Sequence, residues 1–344
     1  MRGLVNFKRE PYSAELRDIP VPEIDEDDLL VSVNAVGVCG SDLHQYAGTH
    51  SWPVNYPVVL GHEFSGVVAR IGDRVKGFNE GDRVVSETAA VLPDDSIYVR
   101  RGLYNLEPKR LGFGAGVDGA MASFVKVPAR CLHHVPASLS FEKAALTEPC
   151  CVAYNAICVN SRIRPGETVA VIGPGPIGLL CAAMAKLSGA GHLVVIGIPA
   201  DAERLRVAQQ IGADTLLAAG NENVANWVQN FGDGYGMDLV IDATGVSASL
   251  KLALDIVRPA GQITKVGWGP QPFNYSLDPL VQKAVTLRGS FSHNWPVWET
   301  VLMLLADGKI DLDPILNRVA PLEEWQDVFE QMHSGRIVKG VLKP

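Results

Sequence analysis

The sequence predicts an α/β protein of two domains, a partly open β-barrel followed by a doubly wound parallel sheet. Three observations carry that expectation. The chain has 344 residues, too many for one ordinary core and suited to two domains of about 100 to 200 residues each. Its first part reads as short apolar runs separated by glycine, proline and aspartate turns. From about residue 165 the pattern changes to strands alternating with helices, which right-handed crossovers build into a parallel sheet.

Residues 1–147 form the first domain in this reading. Runs such as Leu29-Leu30-Val31-Ser32-Val33 and Gly66-Val67-Val68-Ala69 have the length of barrel strands, and Asp25-Glu26-Asp27-Asp28 reads as a solvated turn. Residues 148–290 form the second domain, with strands expected at 168–173, 194–197, 214–217, 238–242 and 262–266 and helices at 202–211 and 247–257. Beyond about 290 the alternation stops. Amphipathic stretches at 298–306 and 322–332 precede a last strand at 339–342. With no room for another core, residues 291–344 are expected to return and complete the first domain.

Composition narrows the possible functions. A net charge of -8, with the 30 Lys and Arg scattered rather than gathered in a stripe, disfavours a nucleic-acid partner. Six cysteines in so long a chain do not make a disulfide framework, and adjacent Cys150 and Cys151 would strain any mutual bridge. A reducing, cytoplasmic setting is therefore expected. The N-terminal residues lack the apolar core of a signal peptide. The longest uncharged apolar stretch, 168–185, is broken by Gly-Pro-Gly-Pro, so no membrane partner is expected either.

That break has the form of a dinucleotide-binding loop. Gly173-Pro174-Gly175-Pro176-Ile177-Gly178 follows the buried-strand pattern Val169-Ala170-Val171-Ile172 and opens a helix, a context that a simple glycine turn does not require. Gly173 permits the tight turn, Gly175 lets the backbone approach a pyrophosphate, and Gly178 lets the helix pack on the strand. Pro176 and Ile177 begin the helix whose N-terminus faces the anion. The second strand ends in Gly197-Ile198-Pro199-Ala200-Asp201, neutral where an acidic residue would hold a free ribose 2′-hydroxyl. Asp201 comes a few residues late, as a cap for the next helix would, and Arg204 is placed to meet a 2′-phosphate. NAD is expected, with NADP possible.

The richest chemistry lies at residues 37–44, Gly-Val-Cys-Gly-Ser-Asp-Leu-His, which offer a thiolate, a hydroxyl, a carboxylate and an imidazole in one short segment. Gly61-His62-Glu63 and Thr147-Glu148-Pro149 follow. Singly, Cys39 reads as a small buried hydrophobe and His62 as an ordinary histidine. Together with a dinucleotide loop they suggest metal-assisted hydride transfer.

On these residues, with Gly81-Asp82-Arg83-Val84, the chain resembles the zinc-dependent medium-chain dehydrogenase/reductase family. The likeness is to its polyol, sorbitol dehydrogenase-like branch, with threonine dehydrogenase a near relative. The resemblance implies a GroES-like catalytic barrel and a Rossmann domain, with one catalytic zinc in the cleft between them. Cys39 and His62 match the family's thiolate and imidazole ligands, and Glu148 matches its third position, where glutamate resembles the polyol branch. Glu63 matches a residue that is a ligand in some members and stands behind the ligands in others. Adjacent side chains on an extended backbone point apart, so Glu63 is the least expected of the four metal residues.

The same resemblance implies that zinc acts as a Lewis acid on the alcohol while hydride passes to the nicotinamide. Ser41 would take the hydroxyl proton, His44 would pass it towards solvent, and Asp42 would orient the ligand histidine, unless it only caps a turn. Thr244, Gly245, Val266 and Gly267 match positions lining the cofactor, and Lys339 matches a basic residue near the pyrophosphate. Tyr46, Trp52, Phe291, His293 and Trp295 are candidates for the substrate pocket, each equally readable as an ordinary aromatic. Because dimers and tetramers are usual in the family, a homodimer or homotetramer is expected.

One departure is informative. The family often carries a lobe of four cysteines holding a structural zinc, but no cysteine lies between Cys39 and Cys131 here. One zinc per chain is expected. Residues 87–110 would then be ordered by apolar contacts of Ile97, Tyr98, Val99, Leu103, Tyr104 and Leu106, and by charge pairs from Arg100, Arg101, Lys109 and Arg110. The expected function is oxidation of a polyol, sugar alcohol or other secondary alcohol by NAD(P). Alternatives are an L-threonine or related amino-alcohol dehydrogenase, a metal-free quinone or enone reductase, and a non-catalytic binding protein. Cys39, His62 and Glu148 together speak against the last two.

Overall fold

The computed structural model describes residues 1–220 and 223–344. The chain divides into two compact units, the first made of Met1–Cys151, His293–Gly308 and Leu316–Pro344, the second of Val152–Ser292 and Lys309–Ile315. The first unit therefore runs past residue 147 and takes in Glu148. Phe291 belongs to the second unit, and so does the short segment Lys309–Ile315, which sequence reasoning had placed with the returning tail.

The first unit is built on a seven-stranded sheet. Its spatial order is Leu132–His134, Arg83–Ser86, Glu63–Ile71, Asp28–Gly37, Lys339–Lys343, Leu316–Pro321, and Phe124–Pro128 also pairs with Asp28–Gly37. Asp28–Gly37 is the hub because Leu29, Leu30, Val31, Val33, Ala35 and Val36 are all buried, on both faces. Register shifts at Leu30/Val31 and Val33/Ala35 locally break its ladder with Glu63–Ile71 and bend it, as bulges do. A smaller sheet of Ala14–Asp18, Arg2–Asn6 and Val58–Val59 covers the same core, where Leu4, Phe64, Met121, Trp325 and Phe329 pack.

The tail joins this core through periodicity and then through pairing. In the helix Trp325–His333 the buried residues are Trp325, Val328, Phe329 and Met332, one stripe at helical spacing. The strand Lys339–Lys343 then pairs antiparallel with the hub, Val341 opposite Gly37 and Leu342 opposite Val36.

In the second unit six parallel strands occur in the chain order third, second, first, fourth, fifth, sixth: Thr215–Ala218, His192–Gly197, Thr168–Ile172, Met237–Asp242, Val257–Lys265 and Thr286–Gly289. This is the doubly wound dinucleotide-binding order, and the reversal between first and fourth strands marks the ligand end of the sheet. Val169 to Ile172 are buried because helices cover both faces of such a sheet. The sixth strand has no counterpart in the sequence reading. All four of its residues are exposed at the sheet edge, so it carries no apolar run to betray it.

Residues 87–110 are held differently from expectation. Ile97, Tyr98, Leu103 and Leu106 are exposed, and Arg100 donates to the backbone carbonyl of Asp95 rather than to a carboxylate. Polar groups do the ordering. Ser96 caps the helix Ile97–Arg100 and hydrogen-bonds Glu107, while Tyr104 Oη donates to Glu87 at 2.6 Å. A segment of mixed polarity can satisfy its buried polar groups internally and leave its apolar side chains outside. All six cysteines are free thiols. No helix among the described residues is long and apolar enough to cross a membrane.

One buried ion pair ties the tail into the first unit. Lys339 Nζ donates to Glu63 Oε1 at 2.7 Å and to the Val38 carbonyl at 2.8 Å, with the two side chains 2% and 0% exposed. Replacing Lys339 by Met should leave a buried carboxylate uncompensated and cost about 3–5 kcal/mol. Urea unfolding of the metal-free protein should show that loss, with much of it recovered in a Lys339→Met/Glu63→Gln double variant. A single variant as stable as the parent would show that the pair carries no such constraint.

Candidate active site

Three side chains converge at one end of the barrel. Cys39 is the N-cap of the helix Gly40–Tyr46, directly after the hub strand, and His62 follows Gly61, whose φ of +94° turns the chain into the strand Glu63–Ile71. Gly37 sits opposite Glu63 in the sheet, and a Cβ there would meet Glu63 Oε2 at 2.3 Å. Ligand atoms of Cys39, His62 and Glu63 thereby lie within 4.8 Å of one another, the one such group of metal-binding side chains among the described residues. Glu63, the least expected of the metal residues, joins the group because His62 precedes the strand and lies outside its alternation.

Asp42 caps the helix and stands near His62. Its Oδ2 accepts the Cys39 backbone N–H at 2.9 Å, closing the helix cap, and its Oδ1 lies 3.9 Å from His62 Nδ1. Burial pushes the Asp42 carboxyl above its ordinary range, against the opposing pull of His62. Burial alone would lower His62, but the adjoining Cys39, hydrogen-bonded to the ring, and the Asp42 and Glu148 carboxylates outweigh it and hold the imidazole well above its usual value. The site thus demands positive charge.

Ser41 and His44 lie on the same short helix at i, i+3, which places them on one face. Ser41 Oγ is buried without a hydrogen-bond partner. His44 Nδ1 lies 3.1 Å from Thr49 Oγ1, and burial, reinforced by the charge of His333, lowers its pKa. An imidazole therefore stands one turn beyond a hydroxyl without a partner among the described residues.

Glu148 lies in the first turn of the helix Thr147–Tyr154. Its Oε1 accepts from His293 Nε2 at 2.9 Å, and the Trp298 indole donates to His293 Nδ1 at 2.7 Å. Burial would raise the Glu148 carboxyl, but His293 and the charge of His62 bring it below its ordinary range. Arg110 adds a further cation near Glu148.

Two residues assigned from sequence have other roles. Lys339, expected near the pyrophosphate, is buried against Glu63 and Val38, because its strand is interior to the first unit. His293, expected in the substrate pocket, is 2% exposed with both ring nitrogens engaged. The other aromatics have separate surroundings. Tyr46 is a core ring, edge-on to Tyr12, Trp325 and Phe329 at 5.2–5.8 Å. Trp52 lies 5.4 Å from His50, Phe291 is edge-on to Trp268 in the second unit, and Trp295 is half exposed beside His133. Sequence reasoning missed Trp298 and the Glu148–His293 pairing, which joins residues 145 apart. No local pattern signals it.

In the second unit the expected cofactor residues gather at the carboxyl ends of the first, fourth and fifth strands. Gly173 has φ +95°, and a Cβ there would meet Thr244 Cγ2 at 2.6 Å. A Cβ on Gly178 would meet the Gly173 carbonyl at 1.8 Å, one on Gly245 the Trp268 carbonyl at 2.7 Å, and one on Gly267 the Thr244 carbonyl at 2.0 Å. Val266 and Gly267 both donate to the Asp242 carbonyl. Gly175 is different. It caps the helix Pro176–Leu187, led by Pro176 and Ile177, with φ -70°, and nothing lies within 4 Å of its Cβ position.

The end of the second strand is not neutral in space. A short 3-10 turn, Pro199–Asp201, folds Asp201 back so that its Oδ2 accepts the Ile198 N–H at 3.0 Å and would lie 3.3 Å from a Cβ on Gly197. Its side chain makes no cap bond to the helix Ala202–Ile211; Arg204 Nη1 reaches its Oδ1 at 3.4 Å.

A thiolate, an imidazole and a carboxylate converging on a barrel, with a glycine-loop parallel sheet, define a zinc-type nicotinamide dehydrogenase. Residues 25–137 match the alcohol dehydrogenase GroES-like domain and residues 176–307 the zinc-binding dehydrogenase domain. The chain is 35% identical, over all of its length and 99% of the relative, to sorbitol dehydrogenase of Halalkalibacterium halodurans. It is 36% identical to D-arabitol-phosphate dehydrogenase of Enterococcus avium, covering 95% of this chain and 92% of that one. Among solved structures, alcohol dehydrogenase from Thermus sp. ATN1 superposes with a TM-score of 0.89 at 34% identity, covering 100% and 99% of the two chains. The chain belongs to the zinc-dependent medium-chain dehydrogenase/reductase family, on its polyol branch, with a GroES-like and a Rossmann domain.

The glycine loop yields a paired prediction. Gly178→Ala should lower the melting temperature markedly, since its methyl group would overlap a backbone carbonyl. Gly175→Ala should melt near the parent yet bind NADH at least about tenfold more weakly, as measured by fluorescence titration, because only the ligand needs that space. Equal NADH affinity in Gly175→Ala would remove this residue from the cofactor site.

Proposed function

We propose that this protein oxidises a secondary hydroxyl of a polyol with NAD, using one zinc held by Cys39, His62 and the Glu63 and Glu148 carboxylates. The observation that carries the reading is the convergence of Cys39, His62 and Glu63 beside a buried Ser41 hydroxyl that lacks a partner. One sulfur, one nitrogen and carboxylate oxygen suit zinc and not magnesium, which takes oxygen alone. Charge fits as well. Cys39, Glu63 and Glu148 as anions are balanced by a divalent ion and the buried Lys339 cation.

Zinc supplies Lewis acidity at the substrate oxygen, and the nicotinamide accepts the hydride. The side chains do the rest. Ser41 Oγ, having no partner within the protein, accepts the hydroxyl proton of the alcohol and passes its own onward. His44, whose Nδ1 lies 3.1 Å from Thr49 Oγ1, takes that proton towards solvent. Asp42 fixes Cys39 through its backbone and faces His62 electrostatically. In the second unit the N-terminus of Pro176–Leu187 receives the pyrophosphate over Gly175.

Support for NAD over NADP comes from Asp201, whose carboxylate stands at the end of the second strand, where a ribose 2′-hydroxyl is recognised. Arg204 partly neutralises it, so the preference is moderate. A cytoplasmic homodimer or homotetramer is the assembly usual for such enzymes, and light scattering of the purified protein reads it directly.

Cys39→Ser and His62→Ala should abolish alcohol oxidation while NADH affinity stays within about twofold, since the glycine loop is elsewhere in the chain. Ser41→Ala should retain zinc and lose roughly 10²-fold or more in kcat. A polyol, sugar and amino-alcohol panel that includes sorbitol, phosphorylated pentitols and L-threonine identifies the substrate. Turnover of L-threonine alone would overturn the polyol assignment.

Elemental analysis of purified protein should find one zinc per chain, because residues 87–110 contain no cysteine and are ordered by Ser96, Tyr104, Glu87 and Glu107. Chelation should remove activity without changing protease sensitivity of that segment. Two tightly held ions, or a segment that becomes cleavable on chelation, would contradict the count.

A further inference from the structure

Glu148 is not left to find its own orientation. It lies 145 residues before His293, yet the two share a 2.9 Å hydrogen bond inside the first unit, with Glu148 7% and His293 2% exposed. The other nitrogen of His293 faces Trp298 Nε1 at 2.7 Å, and that indole is itself 1% exposed. An indole N–H can only donate. His293 Nδ1 must therefore present its lone pair, the ring proton must sit on Nε2, and Nε2 must donate to Glu148.

Trp298 is in turn immobilised. It lies in the first turn of the helix Trp295–Ala306 and stacks face to face on His133, centroids 5.3 Å apart and planes within 7°. His133 is held from both sides, its Nε2 3.2 Å from Glu87 and its Nδ1 2.5 Å from Glu299. The helix that carries the donor is thus pinned by a second polar network before it reaches the site.

We propose that Trp298 and His293 form a positioning pair in which the indole donor on Nδ1 and the Glu148 carboxylate on Nε2 together fix the ring of His293, so that His293 holds Glu148 by one oxygen in a fixed orientation towards the Cys39–His62–Glu63 group. The proposal rests on the metal reading above for its consequence, but not for its geometry. Partners of this kind that fix a ligating or metal-facing group are typically worth about 10- to 100-fold in metal affinity or activity.

Three variants separate positioning from packing. His293→Gln can still donate to Glu148 and accept from the indole, so zinc affinity by chelator competition should stay within about threefold of the parent. His293→Leu keeps bulk and loses both bonds. It should bind zinc about 10- to 100-fold more weakly and alter the visible absorption of the cobalt-substituted protein. Trp298→Phe keeps the stack on His133 but removes the donor to Nδ1, and should shift the ¹⁵N resonance of His293 Nδ1 in the metal-free protein towards that of a ring nitrogen accepting no hydrogen bond, while Glu148 keeps the Nε2–H tautomer that the parent shows. Parent-like zinc affinity and cobalt spectrum in His293→Leu would overturn the positioning role, as would an Nδ1–H tautomer in the parent. Should His293→Leu fail to fold, the Trp298→Phe spectra decide. If instead the parent binds no zinc dependent on Cys39 and His62, the metal reading fails while the tautomer measurement still tests the pair.

Discussion

Concentration of acidic groups in the buried end of the barrel is the constraint on which the rest of the first unit depends. Cys39, Asp42, Glu63 and Glu148 crowd a region where an isolated ion would be untenable. The protein answers with Lys339 on Glu63, His293 on Glu148 and the Cys39 backbone N–H on Asp42. What remains uncompensated is what a divalent cation supplies. The return of the C-terminal strand is thus electrostatic as well as hydrophobic, since it brings the one lysine that makes Glu63 tolerable.

The second unit distributes its constraints differently. Gly173, Gly178, Gly245 and Gly267 are dictated by close contacts within the protein, and their absence of side chains would be required with or without a ligand. Gly175 has no such neighbour. Packing explains four of the five, and only the fifth faces open space. A glycine fingerprint is therefore part fold and part function, and the distances tell the parts apart.

The segment 87–110, which contains no cysteine, is ordered by polar side chains. Where thiolates would surround an ion, a cap from Ser96, the Tyr104–Glu87 bond and the buried Glu107 order the chain. This network is continuous with the catalytic end of the unit, because Glu87 also meets His133, on which Trp298 stacks.

The sequence by itself determined the two-domain α/β class and the parallel sheet with its glycine loop, while Cys39, His62 and a glutamate were named through the family resemblance. The fold class and the glycine loop depend on local signals: the period of apolar residues and turn residues at set spacing. Tertiary structure alone decided that Glu63 joins His62 on one side, because the strand begins at Glu63 and its alternation does not reach His62. It alone placed Lys339 on Glu63 and His293 between Glu148 and Trp298. It also folded Asp201 back onto the strand end that had looked neutral, and ordered residues 87–110 by hydrogen bonds while their apolar side chains face outward. Buried polar pairs satisfy one another wherever the fold brings them together, over separations of 145 and 276 residues for the glutamates here. No short-range pattern in a sequence encodes which partner lies that far away.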